Sequence, residues 1–123
     1  MDKKDLAVRF KHNGYNCAQA VIAVYADELG IDLETARALG AGFGAGMGTM
    51  GATCGALCGA QIVLGLSGKT KPTAGKPRRL YSDFLERCGA TICLELKGVT
   101  TGRMLCSCDS CVANAVDILE GML

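Results

Sequence analysis

Helical periodicity is most regular in the stretch Asn16-Cys-Ala-Gln-Ala-Val-Ile-Ala-Val-Tyr-Ala-Asp-Glu-Leu-Gly30. Asn16 and Gln19 have the spacing of a helix capping box, with Asn in the place of the usual Ser or Thr. Gly30 stands where a glycine ends a helix. Between them the apolar residues recur every three or four positions, at Ala18, Val21, Ile22, Tyr25 and Leu29. The pattern predicts a helix with one buried face.

Similar patterns on both sides of this stretch predict further helices. Asp32 is a suitable N-cap, Pro77 fits the first turn of a helix, and Gly89 fits a helix end. Alternation typical of a strand is not seen. The further predicted helices run over residues 32–39, 53–66, 77–88, 91–96 and 109–119. We therefore expect a single domain over residues 1–123, an all-α bundle of about five to six helices, with a polar loop from Ser67 to Gly75.

The composition excludes several classes of protein. Half of the 123 residues are hydrophobic, which is too many for a disordered chain. Thirteen basic and 12 acidic residues give a net charge of +1, without the basic excess of a nucleic-acid-binding module. Residues 38–68 lack charge, but ten of these 31 residues are glycine, so we expect a buried interior segment and no membrane insertion. Two residue types are unusually frequent for a chain of this length, with 17 Gly and 8 Cys.

Part of the glycine surplus has a regular spacing. Gly51, Gly55 and Gly59 recur every four residues and would form a bare stripe on a helix. Such a stripe allows close approach of another helix, either in the same chain or in a homodimer. The run from Gly40 to Gly48 is too rich in glycine for a stable helix, and the sequence assigns it no role.

Nucleotide and haem sites are not expected. Residues 46–51 match GxGxxG, but no strand precedes them and no acidic residue for a ribose follows at the required distance. No Cys pair is followed by the His of a haem-attachment motif. The single histidine, His12, lies in a charged stretch and is expected to be solvated.

Four cysteines coincide with predicted helix starts. The N-terminus has no apolar segment typical of a secretory signal, so we expect a cytoplasmic protein with reduced thiols. Free N–H groups at a helix start stabilise a thiolate and lower its pKa. Four such thiolates could converge on one metal or iron–sulfur centre. These four predicted cysteines are Cys17, Cys54, Cys93 and Cys111.

The other four cysteines are secondary candidates. Cys58 lies four residues after Cys54, on the same face of the predicted helix. Cys88 precedes the helix-ending Gly89. Cys106 and Cys108 form, with Cys111, a CxCxxC loop that could chelate a metal. Each of the four could equally be a small buried apolar side chain.

The distribution of cysteines resembles a known family. Cys54-Gly-Ala-Leu-Cys-Gly59 matches the CGAxxG motif of the C_GCAxxG_C_C family, which is described as redox-active. Residues 10–20, 93–98 and 111–119 are similar to the family's other blocks. The resemblance implies that the four family cysteines are Cys17, Cys54, Cys93 and Cys111, with Cys88 competing for the third place and Cys106 or Cys108 for the fourth. The remaining cysteines depart from the family's minimum of four.

Four functions remain open from the sequence. The leading one is a redox-active oxidoreductase or electron carrier, in which the four predicted cysteines bind an iron–sulfur cluster or another thiophilic metal. The second is metal-free thiol–disulfide chemistry by Cys54 with Cys58, or by Cys108 with Cys111. The third is metal storage or transfer by the CxCxxC loop, and the fourth is a structural dimer with inert cysteines. A homodimer and a separate redox partner are expected.

Overall fold

The computed structural model describes residues 2–68 and 75–123, which form nine helices and no strand. Six of these helices have eight or more residues, which confirms the all-α prediction and its number of main helices. The helices are α1 (Lys3–His12), α2 (Cys17–Val24), α3 (Ala26–Leu29), α4 (Leu33–Gly40), α5 (Gly44–Met47), α6 (Gly55–Leu66), α7 (Gly75–Cys88), α8 (Cys93–Lys97) and α9 (Cys108–Glu120).

Helix α2 is the centre of the bundle, and its predicted capping box is present. The Asn16 side chain accepts a hydrogen bond from the Gln19 N–H at 2.8 Å, and the Gln19 side chain accepts one from the Asn16 N–H at 2.8 Å. Six of the eight residues of α2 are buried. The helix packs against α1, α4, α6 and α9. This degree of burial explains why its sequence is almost wholly apolar.

Tyr25 ends α2 and ties it to the last helix. Its ring is fully buried, and its hydroxyl lies 3.3 Å from the Val116 carbonyl and 3.2 Å from a carboxylate oxygen of Glu120. Burial, followed by the charge of Glu120, raises the pKa of Tyr25. The hydroxyl therefore stays protonated and can donate to α9. The predicted continuous helix to Leu29 is interrupted here, and α3 follows to Gly30, whose φ of +71° ends it.

The glycine stripe is shorter than the spacing predicts, because α6 begins at Gly55 and Gly51 lies outside it. A Cβ added to Gly55 would lie 2.5 Å from the Cys17 Sγ, and one added to Gly59 would lie 2.7 Å from the Ala18 carbonyl oxygen. Helix α2 of the same chain therefore packs against the stripe. A homodimer remains a prediction, and it would have to use another surface.

The starts of several helices differ from prediction. Helix α1 was not predicted, because only Ala7 among its residues is buried and its apolar face is weak. Cys54 itself is the N-cap of α6, Ile92 is the N-cap of α8 and Ser107 is the N-cap of α9, where Thr53, Thr91 and Asp109 were expected. Pro77 is the third residue of α7. These are shifts of one or two residues. Cys54 and Ile92 make no side-chain cap hydrogen bond, and the chain before α6 and α8 is held extended by pairing of Thr53 with Ile92.

Two further expectations concern residues 38–75. Among the described helices, none has the length and apolar character needed to cross a membrane. The predicted polar loop from Ser67 to Gly75 includes residues 69–74, which lie outside the described residues.

The close contact between α2 and α6 gives a test of the packing. Gly59→Ala should destabilise the fold by about 1–3 kcal/mol, because the added methyl group meets the backbone of Ala18 rather than a flexible side chain. Gly65→Ala on the same helix is the matched control, since its Cβ would enter open space, and it should stabilise the helix by about 0.5–1 kcal/mol. Chemical denaturation of both variants measures the difference. Equal stability of the two variants would contradict this account of the crossing.

Candidate functional site

A short backbone pairing brings two of the predicted cysteines together. Thr53 and Ile92 form an isolated antiparallel bridge just before α6 and α8. The Cys54 N–H donates to the Thr91 carbonyl at 2.7 Å, and the Cys93 N–H donates to the Ala52 carbonyl at 3.1 Å. The bridge therefore holds the starts of the two helices side by side.

The run from Gly40 to Gly48, which had no predicted role, lies against the same helix starts. A Cβ on Gly44 would lie 2.6 Å from the Asn16 side chain, and one on Gly46 would lie 2.8 Å from the Cys93 Cβ. Gly46 also has a φ of +61°, a conformation that favours glycine. Glycine is needed in this run because the chain passes directly over the capping box and over Cys93.

All four predicted cysteines line one cavity of about 360 Å³. Cys108 lines it too, together with two lysines, Lys11 and Lys97. We call this set the cavity cysteines: Cys17, Cys54, Cys93, Cys108 and Cys111. The four predicted cysteines thus line one cavity, and Cys108, a secondary candidate from the sequence, lines it with them. The signal that could have identified Cys108 is Ser107, whose hydroxyl caps α9 by accepting from the Ser110 N–H at 3.1 Å.

The cavity cysteines occupy different positions in their helices. Cys17, Cys93 and Cys108 are first residues of α2, α8 and α9, and Cys54 directly precedes α6. Cys111 is the fourth residue of α9, one turn into the helix. The prediction that the cysteines lie at helix starts is therefore correct for Cys17, Cys54 and Cys93, whereas Cys108 takes the place that was expected for Cys111.

A general lowering of thiol pKa at the helix starts was expected, and it is wrong for most of these cysteines. Burial raises the pKa of Cys17 and of Cys93, because the charged form loses hydration. Cys54 differs, and its pKa falls to about 7. The main cause is a hydrogen bond with the Cys111 thiol, followed by the N–H groups of Ala56 and Leu57. The N–H groups of the helix start lower the pKa of Cys54 less than the neighbouring thiol does, and at Cys17 the N–H of Ala18 lowers the pKa by less than burial raises it.

A second group of thiols lies beside the cavity. The sulfur atoms of Cys88, Cys106 and Cys111 all lie within 4.8 Å of one another, and all three residues are buried. We call this group the cysteine triad. Within the described parts of the chain, it is the only set of three or more Cys, His, Asp or Glu ligand atoms at metal-binding distances. The triad could therefore hold a thiolate-bound metal ion.

Polar groups surround the triad. The Asn114 side-chain N–H₂ lies 3.5 Å from the Cys88 Sγ and 3.8 Å from the Cys106 Sγ. The Lys97 ammonium lies 3.8 Å from the Cys111 Sγ and donates to the Cys106 carbonyl at 3.3 Å. Cys111 is a hydrogen-bond partner of Cys88, which lowers the pKa of Cys88 to about 6. Hydrogen bonding with Cys54 or Cys88, followed by burial, raises the pKa of Cys111 itself, and its thiol also lies 3.8 Å from the Cys106 carbonyl.

With the geometry established, the chain can be compared with known proteins. The model of the C_GCAxxG_C_C family, described as "Putative redox-active protein", matches residues 15–122. The chain belongs to this family. The match covers both the cavity cysteines and the triad. No curated protein and no solved structure matches the chain.

Of the eight cysteines of this family member, Cys58 alone belongs to neither group. It lines a separate cavity with Thr53 and Tyr81, and its thiol lies 3.9 Å from the Thr53 carbonyl. Burial raises its pKa. Cys54 and Cys58 were expected to point into one site, but Cys54 precedes the helix, so the spacing of four does not align them.

The CxCxxC loop is also divided between the two groups. Cys106 belongs to the triad, Cys108 lines the cavity, and Cys111 belongs to both. Three thiols that are close in sequence therefore do not form one chelating loop. No disulfide joins any of the eight cysteines.

His12 is solvated, as its charged surroundings predict. Its ring is more than half exposed and its Nε2 lies 2.8 Å from a carboxylate oxygen of Asp109. Lys11 contacts the same carboxylate at 3.2 Å. Hydrogen bonds from His12 and then Lys11 lower the pKa of Asp109. This ion pair joins α1 to the start of α9 beside the cavity.

Cys111 should control the ionisation of its neighbours. In metal-free reduced protein, Cys111→Ala should raise the pKa of Cys54 from about 7 and that of Cys88 from about 6, because each loses its main hydrogen-bond donor. Cys111→Ser should shift them less, since the hydroxyl can still donate. Thiolate absorbance in the ultraviolet, followed against pH, measures the change. Cys58→Ser is the control. If the thiolate titration of Cys111→Ala were the same as that of the wild type, Cys111 would not be the residue that lowers the pKa of Cys54 and Cys88.

Proposed function

We propose that this protein is an electron carrier whose cavity cysteines bind an iron–sulfur cluster. The observation that supports it is the cavity itself, in which all four predicted cysteines and Cys108 meet. Thiolates are the usual protein ligands of iron–sulfur clusters. Membership of a redox-active family agrees with this function.

The size of the cavity fits a group larger than a single ion. Its volume of about 360 Å³ lies in the range of small-molecule and cofactor pockets, about 300–1,000 Å³. No three of its sulfur atoms meet the 4.8 Å spacing of the triad among the described residues. A cluster separates its thiolate ligands more widely than one ion does, so this spacing favours a cluster over zinc.

The charges around the cavity also fit thiolate ligands. Lys97 lines the cavity, and burial tends to lower its pKa, but the neighbouring thiols Cys111, Cys108 and Cys54 outweigh this and raise it. The lysine therefore stays protonated and offsets the negative charge of thiolates. Lys11 adds a second cation at the rim. Such compensation is needed because unpaired charge is costly in a buried site.

Each proposed ligand of the cluster lies at or near the start of a different helix. Cys17, Cys54 and Cys93 are the proposed ligands from α2, α6 and α8. The fourth ligand comes from α9 and is Cys111, as the family resemblance implies, with Cys108 as the alternative. A bound cluster would supply one-electron chemistry. The chain itself provides the thiolate ligands and the cationic Lys97.

Anaerobic purification is the decisive test. The protein should be brown, with visible absorption and comparable amounts of iron and sulfide. Cys17→Ser and Cys93→Ser should each lose most of the iron, because each removes one of the thiolate ligands. Cys108→Ser and Cys111→Ser, compared side by side, identify the fourth ligand as the variant that loses iron.

Cys58→Ser is the matched control, since Cys58 lines a different cavity and should not affect iron content. Circular dichroism verifies that each variant is helical. A colourless wild-type protein without iron, or full iron content in Cys17→Ser and Cys93→Ser, would refute the cluster proposal.

The contact between Cys54 and Cys111 favours a second candidate function, metal-free thiol–disulfide exchange. The Cys54 thiolate would attack a disulfide such as oxidised glutathione and release one glutathione thiolate. Cys111, after losing its proton, would then attack the mixed disulfide and release the second. We choose this pair over Cys54 with Cys58 because Cys111 has the largest effect on the pKa of Cys54 and lines the same cavity, whereas Cys58 lines another. The pair Cys108 with Cys111 stays a prediction from the sequence.

A thiol count tests the second function. Metal-free protein treated with oxidised glutathione should lose two thiols, and peptide mapping should find Cys54 linked to Cys111. Cys111→Ser should instead accumulate the mixed disulfide at Cys54. Cys58→Ser should behave as the wild type, and loss of two thiols in Cys111→Ser would contradict this pairing.

A further inference from the structure

The cysteine triad is separate from the site of the proposed function. Cys88 and Cys106 do not line the cavity, and only Cys111 is shared. The three thiols come from the end of α7, from the loop before α9 and from the first turns of α9. Two distant parts of the chain, the end of α7 and the start of α9, therefore meet at one buried point.

We propose that Cys88, Cys106 and Cys111 form a three-thiolate site for a soft, thiophilic metal ion, and that Cu(I) is the ion they fit best. A metal–sulfur bond of about 2.3 Å places three ligand sulfurs about 4 Å apart around one ion. The three sulfurs already lie within 4.8 Å of one another. Binding thus requires only a small contraction of side chains that the fold has brought together.

The number of ligands and their burial favour Cu(I). Structural zinc is almost always bound by four ligands. The triad has three, with no fourth Cys, His, Asp or Glu ligand atom grouped with them in the described chain. Burial of all three residues limits access of a water molecule that could complete the set. Soft thiolate ligands suit Cu(I), as they suit zinc and iron–sulfur clusters, so the number of ligands and their burial decide the choice of ion.

The groups around the triad suit thiolates. Asn114 directs its N–H₂ group toward the sulfurs of Cys88 and Cys106, and Lys97 directs its ammonium toward the sulfur of Cys111. Each of the three sulfurs therefore has a donor or cation nearby. Such outer partners orient ligands and typically affect metal affinity by about 10–100-fold.

The shared residue links the two sites. An ion held by the triad takes up the Cys111 thiolate, which leaves Cys108 as the α9 thiol that is free to serve the cavity. The two sites share Cys111 but not Cys88 and Cys106, which do not line the cavity, so the copper site is compatible with a cavity cluster whose α9 ligand is Cys108.

Titration with Cu(I) tests the proposal. Reduced, metal-free, full-length protein is titrated anaerobically with Cu(I) in competition with a chromogenic chelator, and luminescence of the copper–thiolate complex reports a water-excluded site. Wild type and Cys17→Ser should bind one ion with the same highest affinity. Cys88→Ser and Cys106→Ser should each bind it on the order of 100-fold more weakly or worse, because losing a ligand costs more than losing an outer partner.

Asn114→Ala keeps every thiol, and it serves as a second test in case the cysteine variants fold poorly. It should weaken Cu(I) binding by about tenfold, with unchanged circular dichroism. Cys58→Ser should bind as the wild type. Wild-type affinity in Cys88→Ser and Cys106→Ser, or loss of the site in Cys17→Ser, would overturn the triad as the site. Displacement of Cu(I) by equimolar Zn(II) would overturn the choice of ion.

Discussion

The close contact between α2 and α6 is the constraint on which the rest of the structure depends. Gly59 lets α6 lie against the backbone of Ala18, and Gly55 leaves room for the sulfur of Cys17. A side chain at either position would push the helices apart, since packed interiors absorb extra volume poorly. The same contact sets the separation of Cys17 and Cys54. Gly55 and Gly59 therefore affect both the packing of the core and the geometry of the thiol cavity.

The start of α9 distributes its thiols between two sites. Cys106 precedes the helix and belongs to the triad, Cys108 opens the helix and lines the cavity, and Cys111 lies where the two sites meet. The change from loop to helix separates thiols that are only two and three residues apart. A single segment thus supplies thiols to both of the proposed metal sites, and Cys111 is common to them.

Hydrogen bonding between thiols has more influence on the electrostatics of the site than the helix ends do. Burial raises the pKa of Cys17 and Cys93 despite their positions at helix starts. The lowered pKa values belong to Cys54 and Cys88, whose shared partner is Cys111. Cys111 has one proton and can donate it to one of them at a time. Lys97 lies beside this group and carries the charge that makes thiolates tolerable there.

The sequence by itself determined the helices with strong periodicity and clear caps, notably α2 with Asn16 and Gln19, because these signals are local. It also determined that Cys17, Cys54 and Cys93 belong together, through their shared position at helix starts. It missed α1, whose burial is slight, and the role of Gly44 and Gly46, which depends on what the chain passes over. The triad and the place of Cys108 were decided only by the tertiary structure, because contacts between α7, α8 and α9 join residues that no local pattern relates.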